Sequence, residues 1–353
     1  MRAILVGCGH MSTIWTPLLQ ARNVDLVAFV DTEPGRAAAA AMRADARRAT
    51  PGEPAAGAFD DLDAALHAFR PPGTRLLINL TPADAHAGVI RLAIEAGFDV
   101  FTEKPLANEA ADAAVLADLA KRAGRSLSVM QNRRHEPEFG PLREFSAALA
   151  GPMHVSCDLF VPWIYGGYRD AMAHPLLDDM LIHTVDQARC LIKADPDWAF
   201  CTESAIDGSW MAGAATITAT FGFRDGTVLS YRASWCAAGR QTSWNGEWAI
   251  RARACSVHWD GSSPALVEWS ELDESGRPVA PGQREVLAVS ESGDGHALAL
   301  DEMLAALKSG RPSQTCASSN LPSVGMVSAA RASSRQGRVV AISEVLAGSE
   351  HVP

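Results

Sequence analysis

The sequence predicts an α/β protein of two domains: a doubly wound parallel sheet, followed by an α+β domain with an open, mostly antiparallel sheet. Its 353 residues are too many for one ordinary hydrophobic core. Up to about residue 130, short β runs alternate with alanine-rich helical stretches, which is typical of a parallel sheet covered by helices on both faces. After about residue 150, β runs with a two-residue apolar alternation dominate. We therefore place the domains at residues 1–130 and 131–353.

The first domain contains five predicted strands and four predicted helices. The strands have the sequences RAILVG, VDLVAFVD, TRLLINLT, FDVFTE and SLSVMQ. The helices lie around residues 11–20, 34–48, 84–96 and 108–123. The stretch ATPGEPAAGAF at 49–59 predicts a loop rather than a domain linker, because the same alternation resumes after it.

The second domain combines β runs with tight turns and two closing helices. The runs are MHVSCDLFV, AATITATFGF, GTVLSYRASW and EWAIRARACSVHW. Asp225-Gly226 and Asp260-Gly261 are typical of turns between antiparallel strands. Helices are predicted at 296–310, ending at Gly310, and at 321–337. Alternating apolar positions form a sheet face that needs cover: Ile217, Phe221, Val228 and Tyr231.

Composition and charge exclude several classes of protein. The formal net charge is -10 and the basic residues are scattered, so no nucleic-acid partner is expected. No apolar stretch is long enough to cross a bilayer, and the first apolar run is interrupted too early for a signal peptide, so we expect a cytoplasmic protein without a membrane partner. The seven cysteines form no CxxC pair, which indicates neither a disulfide framework nor a metal site.

The opening stretch MRAILVGCGHMS predicts a phosphate-binding turn. A strand runs directly into Gly7 and Gly9, His10 and Met11 begin a helix, and Ser12 stands where the GxGxxG fingerprint of a Rossmann fold has its third glycine. The first glycine makes the turn, the second lets the backbone approach a pyrophosphate, and the helix N-terminus attracts its charge. The Ser12 hydroxyl is a further candidate donor to a phosphate. A purely structural strand-to-helix turn is the alternative.

Asp31 ends the next predicted strand, about 20 residues later, where such folds hold the adenosine ribose. A carboxylate there accepts hydrogen bonds from the ribose hydroxyls and repels a 2′-phosphate. The predicted cofactor is therefore NAD rather than NADP.

The stretch FTEKPLA at 101–107 follows the fourth predicted strand of the first domain. Ligands of open parallel sheets bind beyond the carboxyl ends of the strands, so Glu103 and Lys104 are expected beside the nicotinamide. A partly desolvated lysine can hydrogen-bond a reacting hydroxyl and relay its proton. Pro105 fixes the turn, and a cis bond is expected there. By itself this sequence also suits a charged helix start at the surface.

The stretch LLDDMLIHTVDQARCLI at 176–192 predicts a helix with an apolar stripe and a polar face. The stripe contains Leu177, Leu181, Val185, Ala188 and Ile192. Asp179, His183 and Asp186 fall on the other face, where His183 could take a hydroxyl proton and Asp179 could orient the substrate or the imidazole. A solvated face with a structural histidine is the alternative. A metal hydrolase using His174 with these three residues would leave the phosphate-binding turn unexplained.

In this order, the motifs resemble the Gfo/Idh/MocA family of NAD(P)-dependent oxidoreductases. The resemblance implies a catalytic trio of Lys104, Asp179 and His183, which also contact the substrate. It implies that Thr81, Pro82, His86 and Glu103 border the cofactor and that Arg133, at the start of the second domain, borders the substrate. Trp163, Tyr165 and Arg169 lie in the aromatic, glycine-rich loop VPWIYGGYRD, which could wall a sugar pocket by stacking; an exposed structural loop is the alternative. The resemblance also implies a homodimer or homotetramer through the second domain's sheet. Two departures are HPLLD, where a glycine triplet is common, and Asn79 within a strand.

The resemblance implies an NAD-dependent dehydrogenase that acts on a sugar, cyclitol or related polyol. Two alternatives stay open. The same residues could support a lyase or glycosidase that oxidises its substrate transiently, and cofactor retained through purification would favour it. A non-catalytic dinucleotide-sensing regulatory protein would usually lose the proton-handling residues, whereas this chain keeps Lys104, Asp179 and His183.

Overall fold

The computed structural model describes residues 1–46 and 55–347, which divide into two compact units. The first unit contains Met1–Gln131 together with His296–Leu321. The second contains Asn132–Gly295 and the chain from Pro322 onward. The predicted division at 130/131 lies within one residue of the observed one, but the prediction assigned residues 296–321 to the second domain.

The first unit is a six-stranded sheet in which every neighbouring pair is parallel. Its strands are β1 (Arg2–Val6), β2 (Asp25–Val30), β3 (Gly57–Phe59), β4 (Leu76–Asn79), β5 (Asp99–Thr102) and β6 (Leu127–Val129). Their order is β3-β2-β1-β4-β5-β6, which confirms the predicted doubly wound fold. The carboxyl ends of all six strands meet at one edge, and β1 and β4 are neighbours there.

Five helices connect these strands: α1 (His10–Ala21), α2 (Arg36–Asp45), α3 (Leu62–Ala68), α4 (Ala83–Glu95) and α5 (Ala110–Ala123). The sequence did not predict α3 or β3, because seven and three residues are too few to show a period. Part of the loop predicted at 49–59 and the end of the helix predicted at 34–48 lie outside the described residues. The described end of that loop is β3.

The second unit is a nine-stranded sheet in which only the β7–β10 pair is parallel, and this confirms the predicted open, mostly antiparallel sheet. Its strands are β7 (His154–Phe160), β8 (Pro196–Ser204), β9 (Thr216–Phe223), β10 (Val228–Ser234), β11 (Glu247–Arg251), β12 (Cys255–Trp259), β13 (Leu266–Leu272), β14 (Pro278–Val286) and β15 (Val340–Ala341). Gly226 and Gly261 adopt positive φ in the two predicted turns.

The remaining helices are α6 (Phe139–Ala148), α7 (Leu181–Leu191), α8 (Gly295–Ser309), α9 (Ala317–Gln336) and α10 (Ile342–Ala347). A π-helical turn at Leu176–Met180 runs directly into α7. Among the described residues, no helix combines the length and apolar content needed to cross a membrane.

Helix α8 belongs to the first unit because of what it buries. Leu300, Met303 and Leu304 lie in one apolar cluster with Leu5 and Trp15 of the parallel sheet and its first helix. The sequence pattern of α8 does not show which unit the helix packs against. An amphipathic helix has the same apolar periodicity in either domain.

The expected apolar face of the second sheet is already covered within the chain. Ile217, Phe221 and Tyr231 are all buried. Val228 does not belong to this face: it lies on the opposite one and is half-buried. That opposite face is mixed, because Arg232 of β10 forms an ion pair there with Asp158 of β7, and Phe200 of β8 is partly exposed on it. The alternation of Ile217, Phe221 and Tyr231 therefore marks positions in the chain's own core. The expectation that a second copy must cover them is wrong.

Candidate active site

The turn after β1 needs glycine at Gly7 and leaves open space at Gly9. Gly7 has φ +89°, and a Cβ there would lie 2.6 Å from the backbone carbonyl of Leu80. Any side chain at this position would therefore push the end of β4 away. A Cβ built on Gly9 meets nothing within 4 Å, so the space beside it is free for a ligand.

The backbone at the start of α1 presents donors towards this space. The amide of Cys8 donates to the Asp31 carboxylate at 2.7 Å. The amides of Gly9, His10 and Met11 have no acceptor within the described part of the chain. Unpaired amides at a helix N-terminus, next to open space, fit an anionic pyrophosphate. Ser12 does not add to these donors, because its hydroxyl donates to the carbonyl of Gly9 at 2.7 Å.

Asp31 is held firmly at the carboxyl end of β2. Its side chain is 8% exposed, and its Oδ1 accepts from the amide of Glu33 at 2.9 Å while Oδ2 accepts from Cys8. Each carboxylate oxygen keeps a further lone pair that a ribose hydroxyl can reach. The guanidinium of Arg36, 49% exposed, lies 3.6 Å from Oδ1. Arg36 is a residue that the sequence analysis missed, and it bears on cofactor choice.

The EKP loop follows β5, and the Lys104-Pro105 peptide is cis as expected. Lys104 is partly buried at the same sheet edge as Asp31. The Glu103 carboxylate is buried and accepts from the indole nitrogen of Trp15 at 2.7 Å and from the amide of Lys104 at 3.3 Å. Glu103 therefore ties the loop to α1, and its predicted place beside the cofactor stays a prediction.

His86 joins the two loops that flank β4 and β5. Its Nδ1 lies 2.7 Å from the carbonyl oxygen of Pro105, and its Nε2 lies 2.9 Å from that of Thr81. Burial lowers the pKa of His86, and this outweighs the opposing effect of the two carbonyls. With both ring nitrogens facing protein carbonyls, His86 connects the two loops, and its predicted place beside the cofactor stays a prediction.

Asn79 accounts for the polar residue in an otherwise apolar strand. Its Oδ1 accepts from the hydroxyl of Thr81 at 2.7 Å, and its Nδ2 donates to the hydroxyl of Thr102 at 3.1 Å. The side chain is fully buried, so it holds the ends of β4 and β5 and the turn that Pro82 closes before α4. Asn79 and Trp15 are site residues that sequence reasoning missed, although a buried amide within an apolar strand was the signal for the first.

The second unit holds the other predicted catalytic residues. Asp179 lies in the π-helical turn and His183 follows in α7, where it is buried. Such turns are frequently found at functional sites. Arg169 donates to Asp179 through Nε at 2.6 Å and Nη2 at 3.4 Å, so the carboxylate is paired with a guanidinium.

Asp186 does not belong to the predicted polar face. It is buried in an ion pair with Arg134, whose Nε donates to its Oδ2 at 2.7 Å. His174 in turn binds Glu203 at 3.0 Å. Among the described residues no group of three or more histidine, cysteine, aspartate or glutamate side chains is arranged to hold a metal. The metal-hydrolase alternative therefore has no support.

An aromatic cluster surrounds the Arg169–Asp179 pair. The guanidinium lies 4.9 Å from the ring centre of Trp163 and 4.7 Å from that of Tyr168. Trp163 also packs against Tyr165 at 5.0 Å and stacks on Trp235 at 5.2 Å. Tyr165 and Tyr168 are each 67% exposed, so the cluster presents a broad aromatic surface.

Arg133 lies beside the same turn. Its Nη1 donates to the carbonyl of Trp244, and its Nη2 lies 3.5 Å from the sulfur of Met180. Burial lowers the pKa of Arg133 to about 10. Lys104 belongs to the first unit, while Arg133, Asp179 and His183 belong to the second, so their predicted meeting at one substrate stays a prediction.

The family comparisons match both units. The NAD-binding Rossmann domain of an oxidoreductase family matches residues 1–131, and the GFO/IDH/MocA C-terminal domain matches residues 130–257. The first match confirms NAD as the cofactor.

Individual relatives agree with these matches. Uncharacterized protein y4oX of Sinorhizobium fredii is 25% identical over 98% of this chain and 96% of its own length. Myo-inositol dehydrogenase Hyg17 of Streptomyces leeuwenhoekii is 28% identical over 65% of this chain and 68% of its own. An oxidoreductase from Agrobacterium radiobacter, solved with NAD+, L-tartaric acid and magnesium, shares the fold at a TM-score of 0.82, with 17% identity over 98% of this chain and 99% of its own. The chain belongs to the Gfo/Idh/MocA family of NAD-binding oxidoreductases.

Proposed function

We propose that the protein is an NAD-dependent dehydrogenase that oxidises a hydroxyl of a sugar, cyclitol or related polyol. The observation that carries this proposal is the position of Lys104. It lies at the same sheet edge as the Gly7–Gly9 turn and Asp31, on a loop that the contacts of Glu103 and His86 hold in place. The similarity to a myo-inositol dehydrogenase supports the class of substrate.

The chain's residues divide the work of the reaction. The amides of Gly9, His10 and Met11 hold the pyrophosphate, and Asp31 accepts from the ribose hydroxyls. When bound, NAD supplies the hydride acceptor. Lys104 donates a hydrogen bond to the reacting hydroxyl oxygen and stabilises the charge that develops there, while His183 takes the proton.

In the proposed site, Asp179 orients the groups around it. The Arg169 guanidinium fixes its carboxylate, so Asp179 orients its neighbours and is poorly suited to take the proton itself. The aromatic surface of Trp163 and Tyr165 is suited to pack against the carbon skeleton of a sugar ring.

The direct test is a panel of sugars and polyols incubated with NAD, followed by the absorbance of the reduced cofactor. A turnover that produces one reduced cofactor per oxidised substrate supports the proposal, and Lys104→Ala, which should turn over far more slowly, is the control. Product formed without net cofactor reduction would instead support the lyase or glycosidase alternative.

We expect NAD to be preferred over NADP by at least about tenfold in kcat/KM, or about 1.4 kcal/mol. Asp31→Ser should narrow this preference, because the substitution removes the repulsion of a 2′-phosphate and releases Arg36, which lies 3.6 Å away, to bind it. Kinetics with both cofactors measure the effect, and the matched control is Asp31→Ser combined with Arg36→Ala. Equal use of the two cofactors by the natural protein would contradict the role of Asp31.

We also propose a homodimer or homotetramer formed through the face of the nine-stranded sheet that carries Arg232, Asp158 and Phe200. Light scattering at micromolar concentration should give a mass of two or four chains. Arg232→Glu should weaken the assembly, because it replaces the Arg232–Asp158 pair on this face with two like charges. A monomeric natural protein would contradict the proposal, and Arg122→Glu in α5 is the control on another surface.

A further inference from the structure

Within the part of the chain that the structure describes, Arg133 forms no ion pair with a carboxylate, unlike Arg134 and Arg169. The next residue, Arg134, is paired with Asp186, and Arg169 is paired with Asp179. Within the described residues, the contacts of the Arg133 side chain are the carbonyl oxygen of Trp244 and the thioether of Met180. Both partners are uncharged, so the positive charge of this guanidinium is not neutralised by an ion pair.

An ionised group in this position is unfavourable unless it is paired. Burial lowers the pKa of Arg133 to about 10, which still leaves the side chain protonated at neutral pH. Glu136 and Asp179 attract the guanidinium through space, but Asp179 is already bound by Arg169. An anion placed against Arg133 would therefore supply the charged partner that residues 1–46 and 55–347 do not.

The location of Arg133 indicates which ligand would bring that anion. Met180, which the guanidinium touches, follows Asp179 directly and precedes His183 by three residues. Trp244, whose carbonyl accepts from Arg133, packs 6.1 Å from Trp163 in the aromatic cluster. The free donors of Arg133 thus lie among the residues proposed to hold the substrate.

We propose that the substrate carries a carboxylate, as a uronic or aldonic acid does, and that Arg133 binds this group with two parallel hydrogen bonds. The inference rests on the proposed dehydrogenase function and narrows its substrate class. A planar guanidinium matches a carboxylate in shape. A phosphate ester fits less well, because its second negative charge would be repelled by the nearby carboxylates of Asp179 and Glu136.

The first experiment compares matched substrates with the natural protein and NAD. Glucuronate is compared with glucose, galactonate with galactitol, and glucose 6-phosphate serves as the phosphate arm. We expect the best acid to exceed its neutral counterpart by at least about tenfold in kcat/KM, since buried donors reject a ligand that cannot pair with them. Preference for the neutral compounds or for the phosphate would overturn the inference.

The second experiment asks whether Arg133 is the residue responsible. In Arg133→Gln the ratio of acid to neutral kcat/KM should fall to near one, and Arg133→Lys should retain part of it. The winning acid should also raise the Tm of the natural protein without NAD, and Arg133→Gln should lose this shift, whereas the surface variant Arg122→Gln should keep it. An unchanged ratio in a folded Arg133 variant would contradict the assignment. If Arg133→Gln does not fold, the Lys variant and the substrate comparison still decide.

These outcomes separate the two levels of the proposal. Oxidation of neutral polyols with no preference for acids contradicts the carboxylate inference and leaves the dehydrogenase function intact. Failure to reduce NAD with any sugar, polyol or acid contradicts the proposed function itself.

Discussion

Lys104→Ala and His183→Ala should each lower kcat by about 10²–10⁴-fold, the range typical of a lost general acid or base. The affinity for NAD should change little, because the proposed pyrophosphate and ribose contacts come from the start of α1 and from Asp31. In the double variant, the loss of kcat should be smaller than the product of the two single losses. The effects of substituting residues that act together on one proton are not additive.

The measurement is kcat beside a titrated Kd for NAD in each variant, with Asp179→Asn as a comparison. Asp179→Asn should show a smaller loss, because Asp179 is bound to Arg169 and has an orienting role. Natural turnover in His183→Ala, or a collapse of NAD binding in a folded Lys104→Ala, would overturn the proposed division of work.

The largest effect on stability is expected from Asp186→Ala, which should lower the free energy of unfolding by about 3–5 kcal/mol. Asp186 and Arg134 are both buried and share a two-point ion pair. Removing the carboxylate leaves the guanidinium charged and without its partner. Urea denaturation followed by circular dichroism measures the change.

The control is the double variant Arg134→Met with Asp186→Leu, which removes both charges and should recover most of the lost stability. If Asp186→Ala is as stable as the natural protein but has lost turnover, the structural role is contradicted. That result would support the catalytic role that the helical spacing of Asp186 predicts.

The parallel sheet and its ligand edge could be predicted because their signals are local. Gly7, Gly9 and Asp31 lie within one strand–helix–strand unit, and Lys104 follows a strand directly. Their places follow from the rule that ligands bind at the carboxyl ends of parallel strands. The Asp225-Gly226 and Asp260-Gly261 turns could also be predicted, because the positive φ that such turns require favours glycine.

The partners of buried polar groups could not be predicted, because they are far apart in sequence. Glu103 meets Trp15 across 88 residues, and Asp186 meets Arg134 across 52. Helical spacing places Asp186 beside His183, but a buried carboxylate takes whichever cation the tertiary fold brings to it. The apolar alternation of β9 and β10 shows the same limit, because a period identifies a face and not what covers it.

The return of α8 to the first unit has a consequence for how this protein can be divided. The chain passes from one unit to the other after Gln131, after Gly295 and after Leu321, so the units are joined at three points. A fragment that stops at Gln131 would contain the whole parallel sheet, yet it would expose the apolar surface of Leu5 and Trp15 that Leu300 and Leu304 bury. We therefore do not expect the NAD-binding unit to fold as an isolated fragment, because its core is completed only after residue 307 has been synthesised.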